Sequence, residues 1–407
     1  MKRRIAIGLF LLLGQIISPA QDFKVVGYLP YYRFSLANQI DYTKLTHLNL
    51  AFLNPDIQGN LDIGGENIDP VVAQAKSVNP EIKILISLAG GGVTPAWQAA
   101  YDLLMQPANR SGFIHSLVNY TLTHNLDGID VDLEWNSVNA LYSPFVIELA
   151  DSLHAQGKII TSAWPASYRY PDISAAALAV FDFVNLMAYD LTGPWAPTNP
   201  GQHSPYTFAQ LGISYWFTQG LPYEKMTLGV PFYGYDFTNT ANVTSFTYAA
   251  MVAEDTTYAW LDQVGQQYYN GIPTIRAKTE LALSQVSGIM IWELGQDALG
   301  NIEQYSLLKA IDEKVKAGTQ NLDDPLLAGV QLGPNPFQEE ITLYYNGTPT
   351  KANLKLSNLQ GQILWHQTLH LQGNTLSWNF SYLPAGMYLL SLEAEGKVFR
   401  QKLVRGE

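Results

Sequence analysis

The sequence predicts an α/β protein: a TIM (β/α)8 barrel followed by a small all-β sandwich domain. Three observations carry that prediction. Between Gln21 and Gly318, eight apolar strand-like runs alternate with helical patterns, the order that parallel strands with crossover helices require. That stretch of about 300 residues is an ordinary span for eight βα units. Beyond it, six short alternating or β-branched runs follow one another, separated by turns.

Composition narrows the function classes. The chain of 407 residues is 47% hydrophobic and 14% charged, which excludes disorder for its bulk, and its 24 Tyr, 16 Phe and 9 Trp supply ample surface for a packed core. A formal net charge of −12 without a Lys/Arg cluster in its body lacks the electrostatic footprint of phosphate binding, so no nucleic acid partner is expected. With no cysteine, disulfides, thiolate zinc sites and thiol nucleophiles are excluded together.

Taken in order, residues 1–20 begin with Lys2, Arg3 and Arg4, continue with the apolar run Ile5–Leu13 that extends weakly to Ile17, and end in Ser18-Pro19-Ala20. This pattern reads as a secretory signal cleaved before Gln21, the run being shorter than the roughly 18 residues that span a bilayer. A buried N-terminal helix is the alternative. No other stretch is long and apolar enough for a membrane helix, so none is expected in the mature chain.

The barrel is assigned to residues 21–318, with strands at Lys24–Leu29, His47–Phe52, Lys83–Leu88, Gly128–Trp135, Ile159–Trp164, Phe183–Tyr189, Thr227–Tyr233 and Gly288–Trp292. One helix displays its signals: Ser143 as cap, Pro144 at the first helical position, Phe145, Leu149 and Leu153 at spacing four, and Gly157 as the stop. A doubly wound open sheet is the competing architecture. It would want a Gly-rich phosphate loop after the first strand, and Tyr28-Leu29-Pro30-Tyr31-Tyr32 is nothing like one.

A helix-like run, Ile302–Lys316, stops at Ala317-Gly318, and a linker is expected over 319–332. The sandwich, residues 333–407, has runs at Ile341–Tyr345, Ala352–Leu356, Gln362–Thr368, Thr375–Phe380, Met387–Leu392 and Val398–Val404, with turns at Asn346-Gly347 and Gln360-Gly361. Trp365 and Trp378 are read as core packing, with a carbohydrate-binding module as the runner-up.

The chemistry is concentrated in Leu126-Asp127-Gly128-Ile129-Asp130-Val131-Asp132-Leu133-Glu134-Trp135. Strand alternation puts Asp130, Asp132 and Glu134 on one face and Ile129, Val131, Leu133 and Trp135 on the other, which can pack under the helices. The acidic row must then line the barrel interior, where like charges cannot all ionise cheaply and at least one proton is shared. A row of acids ending at the C-terminal end of a barrel strand is where such barrels do chemistry, and coupling would raise the pKa of Glu134 into the range of a proton donor. A hard-metal site is the other use of clustered carboxylates. No His joins them in sequence, and neither a metal nor a cofactor is expected.

This run resembles the DxxDxDxE signature of glycoside hydrolase family 18, the chitinases and related endo-β-N-acetylglucosaminidases. The similarity extends over about 300 residues. Gly27-Tyr28, Ala51-Phe52, Met187-Ala188-Tyr189-Asp190, Gly229-Val230-Pro231-Phe232-Tyr233-Gly234 and Trp292 resemble the family's strand ends. The resemblance implies that Glu134 protonates the glycosidic oxygen while the substrate's own 2-acetamido carbonyl attacks the anomeric carbon, with retention of configuration. Asp132 would orient the acetamido nitrogen, Asp130 would hold or take the shared proton, Tyr189 would hydrogen-bond the acetamido group and Trp292 would floor the distorted sugar. Met187, Asp190, Tyr28, Phe52 and Tyr233 complete the expected substrate site. Core packing is the competing reading for Tyr28, Phe52, Tyr189, Tyr233 and Trp292.

The chain also departs from the family pattern. Ser87-Leu88-Ala89-Gly90-Gly91-Gly92 shifts or replaces one glycine of the third-strand motif, and Tyr233-Gly234-Tyr235 lacks the arginine many members carry. Gly234–Ser287 is short for the α+β insertion of processive chitinases, so a shallower, more open cleft is expected. The stretch Tyr189–Trp195 followed by His203-Ser204-Pro205 looks like the chitinase side of the family; Trp195 would stack on a sugar beyond the cleavage point, and His203 is read as a loop hydrogen-bonder.

Pro334-Asn335-Pro336-Phe337, Gly361, Leu383-Pro384-Ala385-Gly386-Met387-Tyr388 and Lys402-Leu403-Val404 together resemble the C-terminal sorting domain of the type IX secretion system of Bacteroidetes. This implies the secretion machinery as a partner, and a protein secreted or held on the outer-membrane surface of a Gram-negative bacterium after passing through the periplasm. The expected ligand is a β-1,4-linked N-acetylglucosamine polysaccharide or oligosaccharide. An endo-β-N-acetylglucosaminidase acting on the chitobiose core of N-glycans and a catalytically silent lectin remain the alternatives. No oligomer signal is visible, and a monomer is expected.

Overall fold

The computed structural model describes residues 23–320, 330–334, 337–358, 362–373, 375–395 and 397–406. The expected signal, residues 1–20, the middle of the expected linker and the Gln360-Gly361 turn lie outside them.

Eight strands close into a parallel barrel: β1 (Lys24–Pro30), β2 (His47–Pro55), β3 (Lys83–Ala89), β4 (Gly128–Asp132), β5 (Ile159–Pro165), β6 (Phe183–Met187), β7 (Met226–Pro231) and β8 (Gly288–Trp292). Hydrogen bonding runs β1-β8-β7-β6-β5-β4-β3-β2, and β2 pairs back with β1 (Tyr28 opposite Asn49), which leaves no free edge between them. Helices α1 (Asp69–Val78), α2 (Pro95–Leu104), α3 (Arg110–Thr123), α4 (Tyr142–His154), α5 (Ala175–Val180), α6 (Tyr206–Thr218), α7 (Tyr248–Glu254), α8 (Ile272–Gln285) and α9 (Leu307–Gln320) follow in chain order.

Alternation along each strand builds two cores. Ile129, Val131 and Leu133 are fully buried with Phe113, Leu117, Phe145 and Leu149 in the layer between barrel and helices. Val26, Tyr28, Phe183, Tyr189 and Met290 form a smaller cluster inside the barrel. That interior also carries Asn49, Ser87, Asp130, Thr161, Asn185 and Thr227, all without solvent exposure. An apolar outer layer supplies the burial free energy, so the inner layer can be polar where its groups satisfy one another, as Ser87, Asp130, Thr161, Asn185 and Thr227 do; the Asn49 amide has no partner among the described residues.

Three strand ends differ from expectation. β4 stops at Asp132, so Glu134 stands beyond the sheet, and Trp135, expected beneath the helices, turns to φ +51 and is 65% exposed. β6 stops at Met187 before Tyr189, and β7 stops at Pro231 before Tyr233. Pairing ends once the strands splay at the barrel mouth, and the chain must turn there to enter each loop.

Helix α4 begins at Tyr142 without a side-chain cap. The Ser143 hydroxyl donates to Asp172 O at 2.5 Å and accepts from Ser174 N at 2.8 Å, tying the helix to the next loop instead of capping it. Phe145, Leu149 and Leu153 are fully buried as their spacing predicts, and Gly157, at φ +66, sits just after the helix.

Residues 233–268 form a small antiparallel sheet in the order Thr244–Thr247, Tyr233–Asp236, Gln267–Tyr268, Gln263–Val264. After β8, a short 3-10 turn (Gly300–Tyr305) precedes α9, which runs past Gly318 to Gln320. The tail pairs Val330–Gly333, Glu340–Tyr345 and Thr375–Asn379 in one antiparallel sheet, and Ile363–Leu371, Thr350–Asn358, Gly386–Ala394 and Lys397–Arg405 in another. Residues 330–332 of this first strand are a correction to the expected linker over 319–332; its β-branched and apolar side chains are too few to show a period. Ile341, Leu343, Leu354, Leu356, Leu390 and Leu392 fill the tail's core, and Trp365 and Trp378 pack half-buried against it.

Candidate active site

The acidic run is divided by depth. Asp127, at the foot of β4, accepts from Ile84 N at 2.8 Å and pairs with Lys76 at 2.7 Å, a structural role at the end away from the cavity. Asp130 is fully enclosed in the barrel. Its Oδ2 accepts from Tyr28 and Ser87 hydroxyls at 2.7 Å each, and its Oδ1 accepts from Thr161 Oγ1 at 2.6 Å and Asn185 Nδ2 at 3.3 Å. Burial raises its pKa, and the four donors oppose that by favouring the carboxylate. Four donors on two oxygens leave no room for a proton of its own.

Asp132, one pleat higher, has the opposite surroundings. It is buried, and its Oδ1 has no hydrogen-bond partner among the described residues. Burial, reinforced by the charges of Glu134 and Asp130, holds its carboxyl well above the usual range. The pair therefore keeps a proton, and the unpartnered Asp132 is the side where it costs least.

Glu134 follows in extended conformation (φ −125°, ψ 165°) before the Trp135 turn. The Trp135 N–H donates to the Tyr170 hydroxyl at 3.1 Å, which fixes the chain next to the glutamate. Burial first, and then the charge of Asp190, push the Glu134 pKa from 4.5 to about 7.

Beyond β6, the Tyr189 ring is nearly buried over Met290, and burial with the surrounding acids raises its phenol well above its ordinary value. Asp190, at φ +62, accepts on one oxygen from Tyr233 at 2.5 Å and Tyr235 at 3.0 Å. His203 is buried behind it: Nδ1 accepts from Asp190 N at 3.4 Å and Nε2 donates to Tyr233 O at 3.2 Å. That geometry makes His203 a loop hydrogen-bonder.

These groups meet at a cavity of about 700 Å³ at the C-terminal end of the barrel. Asp132, Glu134, Phe52, Met187, Tyr189, Asp190 and Trp292 line it. Trp292 stacks on Phe52 with centroids 5.5 Å apart and meets Tyr28 edge-on at 5.6 Å. Phe52 reaches the cavity because the β2 register slips between Ala51 and Leu53. Asp130, Tyr28 and Tyr233 are not among the lining residues and stand behind the wall, Tyr28 bonded to Asp130 and Tyr233 to Asp190. Trp195 is 58% exposed, lies edge-on to Tyr235 at 5.7 Å, and is not among the lining residues.

Residues 24–297 match the family described as Glycosyl hydrolases family 18. The chain belongs to that family. Residues 331–405 match the secretion system C-terminal sorting domain, the type IX sorting tail. The chain is similar to the family 18 chitinase ChiB from the chitin utilization locus of Flavobacterium johnsoniae, 46% identical with a TM-score of 0.71, over 73% of this chain and 95% of that one. It is also similar to a chitinase from Bacteroides thetaiotaomicron, 27% identical with a TM-score of 0.62, over 72% of this chain and 96% of that one. A curated relative, Chitinase A1 of Niallia circulans, is 27% identical over 326 residues, 56% of this chain and 46% of that protein. The chain spans about half the length of the first curated relatives it matches.

In this family 18 barrel the departures from the pattern take physical form. Tyr235 stands where an arginine is common, so Asp190 is held by two phenols and has no Lys or Arg within salt-bridge distance among the described residues. Ala89 occupies a left-handed position, φ +67, that a glycine would hold without strain. No residue of 233–287 lines the cavity. Sequence reasoning missed Tyr31, Tyr32, Trp97, Trp135, Leu191 and Phe208 in its lining. Tyr32, Trp135 and Leu191 are exposed while Phe208 is buried on α6, so no common pattern in the sequence marks the set before the loops and helix ends around the barrel mouth are placed.

Proposed function

We propose that this chain is a secreted, retaining glycosidase that cleaves β-1,4-linked N-acetylglucosamine polymers, chitin or its oligomers, by substrate-assisted catalysis. One observation carries the reading: a cavity-lining glutamate with a pKa of about 7 beside a buried, cavity-lining aspartate one of whose oxygens has no hydrogen-bond partner among the described residues. Glu134 arrives protonated near neutrality and gives its proton to the glycosidic oxygen as the C1–O bond breaks. The acetamido carbonyl oxygen of the same sugar forms the new bond to C1, giving an oxazolinium ion, and no protein nucleophile is needed. The Asp132 carboxyl accepts the acetamido N–H, and the Tyr189 hydroxyl donates to the acetamido carbonyl. Water then attacks C1 from the side of the departed group, and the Glu134 carboxylate accepts its proton.

Trp292, backed by Phe52, is the apolar floor on which the ring is distorted, and Asp190 and Met187 border the same sugar. Trp195 stacks on a sugar beyond the cleaved bond. The family membership and the chitinases among the similar proteins support this substrate class. The sorting tail supports export through the type IX system to the cell surface or the medium, after cleavage of a signal over 1–20. The domain plan that follows is a barrel from 21 through the end of α9 at Gln320, a linker after it and a sorting domain that begins with the strand Val330–Gly333.

Mass spectrometry of products from chitohexaose and from a high-mannose glycoprotein, with the full chain and Glu134→Gln, tests the proposal. Di- and trisaccharides from the hexamer, absent with the variant, are expected. A glycoprotein trimmed to a single N-acetylglucosamine would move the activity to N-glycans, and binding without turnover by either protein would make the chain a lectin.

A further inference from the structure

Lys278, on α8, is the most deeply buried cation among the described residues outside the cavity wall. It is fully enclosed, and no carboxylate lies within salt-bridge distance of it among the described residues. Removing an ammonium from water without a counter-ion is costly, so its hydrogen bonds must hold it. The three N–H groups meet three acceptors: Ser204 O at 2.6 Å, Ser204 Oγ at 2.6 Å and Asn270 Oδ1 at 2.7 Å.

Because an ammonium only donates, it dictates the direction of every bond downstream. Ser204 Oγ accepts from Lys278, so its own proton is free to go to Ala188 O, 2.6 Å away. Asn270 turns its oxygen to the lysine and its amide to Ser204 O at 3.1 Å. The neighbouring His203 accepts from Asp190 N through Nδ1, and its carbonyl accepts from Leu191 N at 2.9 Å. The dipeptide His203-Ser204 thus bonds residues 188, 190 and 191, leaving between them Tyr189, whose ring and the adjacent Asp190 carboxylate line the cavity.

We propose that Lys278 is a positioning residue for the Tyr189-Asp190 corner, acting through Ser204 and His203. It touches no reacting atom. It sets the hydroxyl and amide directions that hold the corner's backbone, including Asp190 in its left-handed conformation. Burial also lowers the Lys278 pKa to about 7 against the opposing pull of the Asp262 charge, so the fully donating ammonium described above is the form present below that pH. The kinetic consequence rests on the chitinase reading above; the structural consequence does not.

The full chain is compared with Lys278→Met and Ser204→Ala, and with Ile275→Ala, a fully buried position on the same helix that makes none of these bonds. Hydrogen exchange of the segment 186–192 is measured beside kcat and KM on chitohexaose. Lys278→Met and Ser204→Ala are expected to speed exchange at 188–191 and to lower kcat about 10-fold or more with KM nearly unchanged, whereas Ile275→Ala moves neither beyond its loss of global stability. Lys278→Cys, the only cysteine in the chain, alkylated with 2-bromoethylamine while unfolded and then refolded, restores the exchange pattern and the rate. Unchanged exchange at 188–191 in folded Lys278→Met overturns the proposal, as does a kcat loss that Ile275→Ala reproduces at equal stability. A wild type that turns over no chito-oligosaccharide sinks the substrate reading alone, and the exchange comparison still decides the role of Lys278.

Discussion

Glu134 Oε1 lies so close to the α-carbon of Gly91 that a Cβ placed there would be 2.8 Å from it. Gly91 is therefore one wall of the seat of the proposed acid. Its φ is one that alanine adopts without strain, so Gly91→Ala acts on the carboxyl alone. The expected result is a fall in kcat of about 10- to 100-fold with the melting temperature nearly unchanged, because a sub-ångström displacement of a proton donor is costly. Steady-state kinetics beside a thermal melt check it, and full activity would mean that Glu134 reorients freely.

Activity should fall as pH rises through about 7, where Glu134 loses its proton. Asp190 contributes to that elevated pKa, so Asp190→Asn is expected to move the alkaline limb of kcat/KM to lower pH. A shift to higher pH would contradict the electrostatic argument.

The same elevated pKa links to stability. Glu134 binds its proton more tightly folded than unfolded, so its contribution is fully present below about pH 4.5 and is lost as pH rises through 7. Glu134→Gln removes that loss. Its melting temperature, measured against wild type, should gain steadily from pH 5 to pH 8 while turnover is reduced by about 10²- to 10⁴-fold.

Thr161 donates to Asp130 at 2.6 Å inside the barrel. Replacing it with the similarly shaped valine removes one of four donors from a buried carboxylate and should cost about 1.5–3 kcal/mol in urea unfolding. A neutral effect would mean that Asp130 is protonated in the folded chain.

Trp292 rests on Phe52, and both line the cavity. Trp292→Ala should reduce kcat/KM about 10- to 200-fold, the loss of roughly 1–3 kcal/mol of apolar contact with the sugar ring. Binding of chitohexaose to a Glu134→Gln background, by calorimetry, separates lost affinity from lost chemistry.

The acidic row was legible because its determinants are local. A period of two sorts Asp130 and Asp132 from Ile129 and Val131 wherever the strand lies, and the contacts agree: Ile129 and Val131 join the outer core, while Asp130 bonds to Tyr28 inside the barrel and Asp132 lines the cavity. The period ends with the strand, so it misplaced Trp135, whose outward turn depends on a hydrogen bond to Tyr170, 35 positions away. Ser143 failed as a cap for the same kind of reason: Asp172 and Ser174 compete for its hydroxyl, and no local pattern announces them.

By itself the sequence determined the alternation of strands and helices, the two-domain plan, the acidic strand and the set of aromatic residues available to a sugar, because periodicity and composition are properties of neighbouring residues. Only the tertiary structure decided which acid keeps the proton, that Tyr233 and Tyr235 share one oxygen of Asp190, that Gly91 backs Glu134, and that Lys278 bonds to Ser204, 74 positions away. Those are questions of desolvation and hydrogen-bond direction, and both arise only when distant strands and loops close around the same few atoms.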